Sequence, residues 1–405
     1  MSCSDWKTVK LEEVVDILGD GLHGTPKYSD DGEYYFINGN NLDGKIIVNE
    51  KTKRVGLEQY LKYKKDLNDR TLLVSINGTL GKVAEYGGED IILGKSACYF
   101  NVKKDVNKKY IKYILLSDIF KHYIHNYSTG TTIKNLGLKQ MRKFKFPLPN
   151  IEEQEKIANI LSSLDDKIEL NNEMNKTLEE MAQSIFKRWF IDFEFPNEDG
   201  QPYKSSGGEI VESELGMIPK EWEIAQIDDI SQVTMGVSPS SKTYNEDNIG
   251  LPLLNGAADF EGKLIKPSKF TSEPKKICKK GDMVFGVRAT IGNIVFADKE
   301  YALGRGVASV EPNDKVFREF IYYSLDNSME NLINNASGSV FLNLKKADIT
   351  DLKVCYSDEI VKKFNNISRV LIDKIVENDM ESELLKQQRD ILLPKLVSGE
   401  IRITN

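Results

Sequence analysis

The chain has 405 residues, 40% apolar and 29% charged, too long for one ordinary core, so two or more folded domains are expected. No run of about 18 apolar residues occurs and the opening stretch MSCSDWKTVKLEEV lacks the apolar centre of a secretory signal, which excludes membrane and export classes and points to the cytoplasm. The net charge of -7 is uneven: residues 1–150 carry 24 Lys+Arg against 18 Asp+Glu, whereas residues 151–218 carry 6 against 16. Cys3, Cys98, Cys278 and Cys355 are scattered without C-x-x-C spacing and read as buried thiols, not as a disulfide framework or a zinc site.

In chain order, Trp6–Ile17 has strand-then-helix character. Tyr34–Ile37 and Ile46–Val48 read as strands around a polar turn, and Thr71–Ile76 and Ile91–Leu93 as further short strands. Lys109–Tyr127 has helical spacing of Ile111, Ile114, Leu115, Ile119 and Tyr123. The prolines of FKFPLPN end this first domain (1–149). Asn150 then caps a long helix (150–196), with Glu153 completing a capping box and Pro196 as the stop. Residues 197–219 are rich in Gly, Pro, Ser and acid and read as a surface linker.

From Glu221 the chain begins again. Trp6 pairs with Trp222, LLVSINGTLGKV (72–83) with MVFGVRATIGNI (283–294), Leu93-Gly94-Lys95 with Leu303-Gly304-Arg305, and Asn135-Leu136 with Asn343-Leu344. A slowly drifting offset of this kind is the mark of duplication. It defines a second domain (220–356) and a second long helix with its tail (357–405). Both helices carry a heptad seam. In the first, Ile157, Leu164, Asn171, Leu178 and Ile185 alternate with Leu161, Ile168, Asn175, Ala182 and Trp189. In the second, Phe364, Leu371, Asn378, Leu385 and Leu392 alternate with Ser368, Ile375, Ser382, Arg389 and Leu396. The expected fold is α+β: two mixed α/β domains separated by two long helices that form an intramolecular antiparallel coiled coil, an internal repeat with a pseudo-two-fold axis. Asn171 and Asn378 would face each other at its centre. Each helix spans about 58 Å at 1.5 Å per residue.

Motifs for chemistry are weak. Leu93-Gly94-Lys95-Ser96 lacks the leading glycine of a phosphate loop, Gly304-Arg305-Gly306 reads as a turn, and His122 with His125 finds no ligand set. Glu261-Gly262-Lys263 is half of a nuclease signature without its other half. What recurs in both copies is a set of amide, hydroxyl and basic residues on loops, the types that read base edges and bind phosphates. In the first domain these are Asn38, Asn40, Lys82, Lys95, Thr131, Thr132, Lys134 and Asn135. In the second they are Asn255, Arg288, Thr290, Arg305, Ser339 and Asn343. A scaffold that binds DNA without catalysis is the first reading. A DNA methyltransferase or nuclease with an unrecognised site is the rival, and a coiled-coil adaptor is a third.

The segments TIKNLGLKQMRKFKFPLPNIEEQEKIANIL (132–161), FKRWFIDFEFP (186–196), SELGMIPKEW (213–222) and QRDILLPKLVSGEIRI (388–403) closely resemble the specificity (S) subunits of type I restriction-modification systems. The resemblance implies two target recognition domains, each reading half of a bipartite site on double-stranded DNA. It implies that the helices dock two modification subunits, which hold S-adenosylmethionine and methylate adenine, with restriction subunits added in some complexes. No cofactor is expected on this chain itself. On this reading, four residues inserted near Asn171 should lengthen the tolerated spacer between half-sites.

Overall fold

The computed structural model describes residues 6–130, 133–335 and 343–403. They form two compact units, Met1–Ile168 with Leu384–Asn405, and Glu169–Glu383. Each unit therefore holds one mixed domain and a portion of each long helix, a division that the linear order of domains does not suggest.

In the first unit a five-stranded sheet runs in the order Val15–Asp20, Ala97–Val102, Thr71–Ser75, Val83–Glu85, Leu42–Ile46. A three-stranded sheet places Tyr34–Ile37 between Arg54–Val55 and Ile91–Leu93. Lys7–Lys10 pairs antiparallel with Lys145–Leu148, so the two ends of the domain are hydrogen-bonded to each other. The second unit repeats this plan. Ser231–Met235, Val307–Pro312, Met283–Gly286 and Gly292–Phe296 reproduce the first four strands of the large sheet. Lys269–Thr271, Leu251–Leu254 and Tyr301–Leu303 reproduce the smaller sheet, parallel pair included. Glu223–Gln226 with Lys353–Tyr356 closes the domain as before.

Several local expectations change. Trp6–Ile17 contains only one 3-10 turn, Leu11–Glu13, between two strands: buried Val14 closes the turn and buried Val15 enters the sheet. The turn-flanking strand is Leu42–Ile46, and Ile47 and Val48 are exposed. Helix 109–127 is two helices, Lys108–Leu116 and Asp118–Tyr127, broken where the buried Ser117 hydroxyl donates to Ile114 O at 2.7 Å. The stretch 197–219 is folded: Tyr203 stacks on Phe195 and Ile210–Ser213 forms a hairpin with Gly216–Pro219.

The long helices are α1, Ile151–Phe186, and α2, Asp358–Val397. Asn150 Oδ1 accepts the Glu153 amide at 2.9 Å and so caps α1. The Glu153 carboxylate does not return the bond, which would complete a capping box. It is buried, and it accepts the Trp6 indole N–H at 3.0 Å and the Arg402 guanidinium at 2.6 and 3.1 Å. A π turn, Lys187–Ile191, follows α1, and Phe193 in the left-handed region (φ 60°) ends the helical path before Pro196 is reached. Every seam position of α1 is buried or half-buried.

In the second unit Asn171 Nδ2 lies 3.3 Å from Asn378 O, 2.9 Å from Glu381 Oε2 and 3.2 Å from Ser382 Oγ. Asn175 and Asn378 exchange a further amide bond of 2.8 Å, and Asn175 also donates to Asp379 at 2.7 Å. The pairing is antiparallel and polar at this level. In the first unit Arg389, an oddity on an apolar seam, bonds Asp165 at 2.8 Å, and Asp165 accepts Tyr113 Oη at 2.7 Å. The duplicated positions are Ala182, Ile372 and Tyr323, all buried, and among the described residues the Tyr323 hydroxyl has no partner. One copy thus keeps a polar triad where the other packs apolar groups.

Phe364 is fully buried, with its ring centroid 5.3 Å from that of Phe190 and 5.8 Å from those of Phe186 and Tyr323. Phe364→Ala is expected to cost the second unit about 3 to 5 kcal/mol. At about 2–4 °C per kcal/mol for a unit of this size, its melting transition should fall by roughly 10 °C in calorimetry. A shift below about 3 °C would mean that the aromatic cluster repacks.

Candidate nucleic-acid interface

Strand ends in the first unit bring five loops together, and Ser96 is their joint. Its Oγ donates to Asn38 Oδ1 at 3.0 Å and accepts the Gly39 amide at 2.9 Å, while its carbonyl accepts the Ile76 amide at 2.9 Å. Leu22 N–H bonds Leu93 O at 2.6 Å, and Lys95 N–H bonds Leu22 O at 3.0 Å. Leu136 N–H bonds Ile76 O at 2.8 Å, and Asn77 bridges to Asn135. A side chain at Gly21 would place Cβ 2.1 Å from Leu93 O, so only glycine lets these backbones approach.

The second unit builds the same frame from different side chains. Val237 N–H bonds Leu303 O, Gly304 N–H bonds Leu254 O, Val287 N–H bonds Gly306 O, and Leu344 N–H bonds Val287 O. Gly306 stands where Ser96 stands in the first copy, and a Cβ there would lie 1.9 Å from Asn255 O. A hydroxyl joint is replaced by direct backbone contact. Arg288 bridges to Asn343 as Asn77 does to Asn135. The loop after each bridge turns through left-handed residues: Gly78 and Gly81 in the first copy, Ala289 (φ 59°) and Gly292 in the second.

A family model described as the type I restriction modification DNA specificity domain matches this chain twice, over residues 3–180 and 219–357. The chain belongs to that specificity family. Among relatives, it is 26% identical over 428 residues to the type I restriction enzyme MjaIX specificity subunit of Methanocaldococcus jannaschii, covering 98% of this chain and 94% of that protein. It is 25% identical over 346 residues to the HindI specificity subunit of Haemophilus influenzae, covering 68% and 72%. A crystal structure of the type I restriction-modification S subunit from M. genitalium has the same fold, with TM-score 0.61, 19% identity and coverage of 99% and 97%. The two-domain α+β architecture read from the repeat is therefore that of the specificity family.

Within this family frame the loop residues separate into two groups. Asn40, Lys95 and Lys134 in the first unit, and Asn255, Arg288, Thr290 and Arg305 in the second, are exposed at loop tips. Asn38, Lys82, Asn135 and Asn343 are half-buried. Of these, Asn38 is engaged by Ser96, Asn135 Oδ1 accepts Asn77 Nδ2 at 3.3 Å, and Lys82 lies 3.9 Å from Asp43. Thr131, Thr132 and Ser339 lie outside the described residues.

Two features escape a sequence reading. Asn77 occupies the place of Arg288, at the offset of 211 that the repeat itself supplies. A basic edge also flanks the first loop set: Lys53 sits over the Tyr28 ring at 5.9 Å, Arg54 over Tyr35 at 5.1 Å, and Lys64 over Tyr60 at 5.7 Å. The strand Tyr34–Ile37, which leads into the turn Asn38–Asn41, carries this edge beside it, with Phe36 N–H on Lys53 O at 2.8 Å.

The weak motifs of the sequence have packing roles. Leu93-Gly94-Lys95-Ser96 leads into the strand Ala97–Val102, not into the helix a phosphate loop requires. Glu261-Gly262-Lys263 is a hairpin tip seated on the helices: Lys263 N–H donates to Asp379 at 2.9 Å, and its ammonium contacts Tyr322 Oη and, at 3.9 Å, Glu179. Burial pushes Glu179 and Asp326 above the usual carboxylate range against the pull of that ammonium, and Gln183 Nε2 lies within 3.3 Å of both. His122 and His125 are exposed.

Proposed function

We infer that the chain reads a split DNA site, one recognition domain per half-site, as the non-catalytic specificity subunit of a type I restriction-modification complex. The observation that carries this reading is the repeated loop frame, with a cation at the same tip in each copy: Lys95 and Arg305. Such side chains, with Asn and Thr beside them, bind phosphates and base edges. The basic edge of Lys53 and Arg54 would add phosphate contacts that position the duplex without selecting sequence.

Two modification subunits would dock on the helices and hold S-adenosylmethionine, with restriction subunits joining in some complexes. Exposed apolar residues support docking there: Val370, Met380, Leu384 and Ile391 on α2 are each more than half exposed, and such surface is normally covered. Among the described residues, no helix is long and apolar enough to cross a membrane.

The test is to express the chain with the modification subunits of its own system and map methylated adenines. The expected result is a bipartite motif with a fixed, unread spacer, and no methyl transfer or cleavage by the chain alone. A continuous motif would overturn the split-site reading, and methyl transfer by the isolated chain would establish the enzyme alternative.

A further inference from the structure

The two loop frames superpose in hydrogen-bond pattern but not in the side chain at the bridge. Asn77 and Arg288 follow equivalent residues, Ile76 and Val287, which accept equivalent amides from Leu136 and Leu344. Each is bridged to an asparagine, Asn135 or Asn343. In the second unit the Arg288 side chain is exposed and has no hydrogen bond or ion pair among the described residues. The loop after it is held in an unfavourable backbone. Ala289 takes φ 59°, a region that costs a non-glycine residue of this type about 1 kcal/mol or more, and Asn293, a type that enters it more readily, takes φ 49°. Gly286 allows the carbonyl of Thr290 to close over it, where a Cβ would lie at 2.3 Å. Strain of this kind persists where a loop must present a side chain in one orientation.

We propose that these two residues are matched base-reading positions: Arg288 pairs with O6 and N7 of a guanine in one half-site, and Asn77 with N6 and N7 of an adenine in the other. The assignment rests on the DNA-reading function proposed above. The chemistry follows from the donor sets. A guanidinium fork offers two parallel N–H groups to the two acceptors on the guanine edge, whereas a carboxamide offers one acceptor and one donor, matching adenine. Asn77 uses one Nδ2 hydrogen on Asn135 at 3.3 Å. The second hydrogen and Oδ1 remain for a base, and Asn135 is then a positioning residue that fixes the amide plane.

The experiment selects bound duplexes from a randomised pool, using the full chain assembled with its modification subunits, as wild type, R288A, R288K and N77A. R288A is expected to lower guanine preference about 10- to 100-fold at one position of one half-site and to leave the other half unchanged. R288K, which retains the charge but not the fork, should lose most of that preference with an unaltered salt dependence. N77A should relax one adenine in the other half-site. Uniform loss across all sequences, with the salt slope smaller by about one, would make Arg288 a phosphate contact and overturn the assignment, as would unchanged selection. If the wild type selects no sequence, the DNA-reading function falls and the assignment with it.

Discussion

Exchanging residues 1–148 for the first domain of another specificity subunit is expected to change one half of the recognised site and leave the other half as it was. The fold makes that segment a closed module. Its two ends are strands of one antiparallel pair, Lys7 opposite Leu148 and Lys10 opposite Lys145, so a foreign segment enters and leaves at the same place. It joins the helical part of its own unit through a shared apolar core that includes Ile157, Leu161 and Leu396, and through polar links: the Trp6 indole on Glu153, the Tyr113 hydroxyl on Asp165, the Asn107 amide on Gln154 and the Lys109 ammonium 3.9 Å from Asp166. An incoming domain that supplies Trp and Tyr at those places leaves Glu153 and Asp165 satisfied. The loops that would touch DNA, around Asn38, Asn77, Lys95 and Lys134, are replaced as a set. Mapping methylated adenines reads the result, and a motif altered in both halves, or in neither, would refute modular recognition.

The helix pair was legible because a seven-residue period is rigid: once Ile157 and Leu161 face a partner, so must Asn171 and Ala182. The repeat was legible because glycines at sharp backbone approaches, such as Gly94 and Gly304, cannot drift. Local elements were less so. Ser117 breaks a helical pattern by bonding its own backbone, a competition that apolar spacing does not register. The linker folds because Phe195 and Trp222, 27 residues apart, stack on each other with centroids at 5.1 Å. At the interface, the recurrence of loop positions was visible, but the fate of each side chain was not. Asn38 reads as a free amide until Ser96, 58 residues away, takes it. The basic edge reads as solvated lysine until the tyrosines under it are placed.

Inserting four residues after Asn172 in α1 alone is expected to abolish site-specific methylation, whereas the same insertion matched after Asn378 in α2 should restore it with a longer spacer. The sequence suggests that one insertion near Asn171 suffices, but the pairing of Asn171, Asn175 and Asn378 argues otherwise. Four residues advance a helix by about 6 Å and turn it by about 40° beyond a full turn. In one helix only, this moves Asn175 away from Asp379 and Asn378 while the facing residues stay in place. Each buried amide left without a partner costs about 1–3 kcal/mol, and the apolar seam positions shift with them. A matched insertion lets both helices move together, so the polar level can re-form on either side of the added turns. An added 6 Å corresponds to roughly two base pairs at 3.4 Å each, and the mapped motif should show that increment with both half-sites unaltered. Thermal unfolding separates the two variants independently, since only the one-sided insertion should lose stability. A matched variant that folds, methylates and retains the original spacer would show that the helix pair does not set the distance between half-sites.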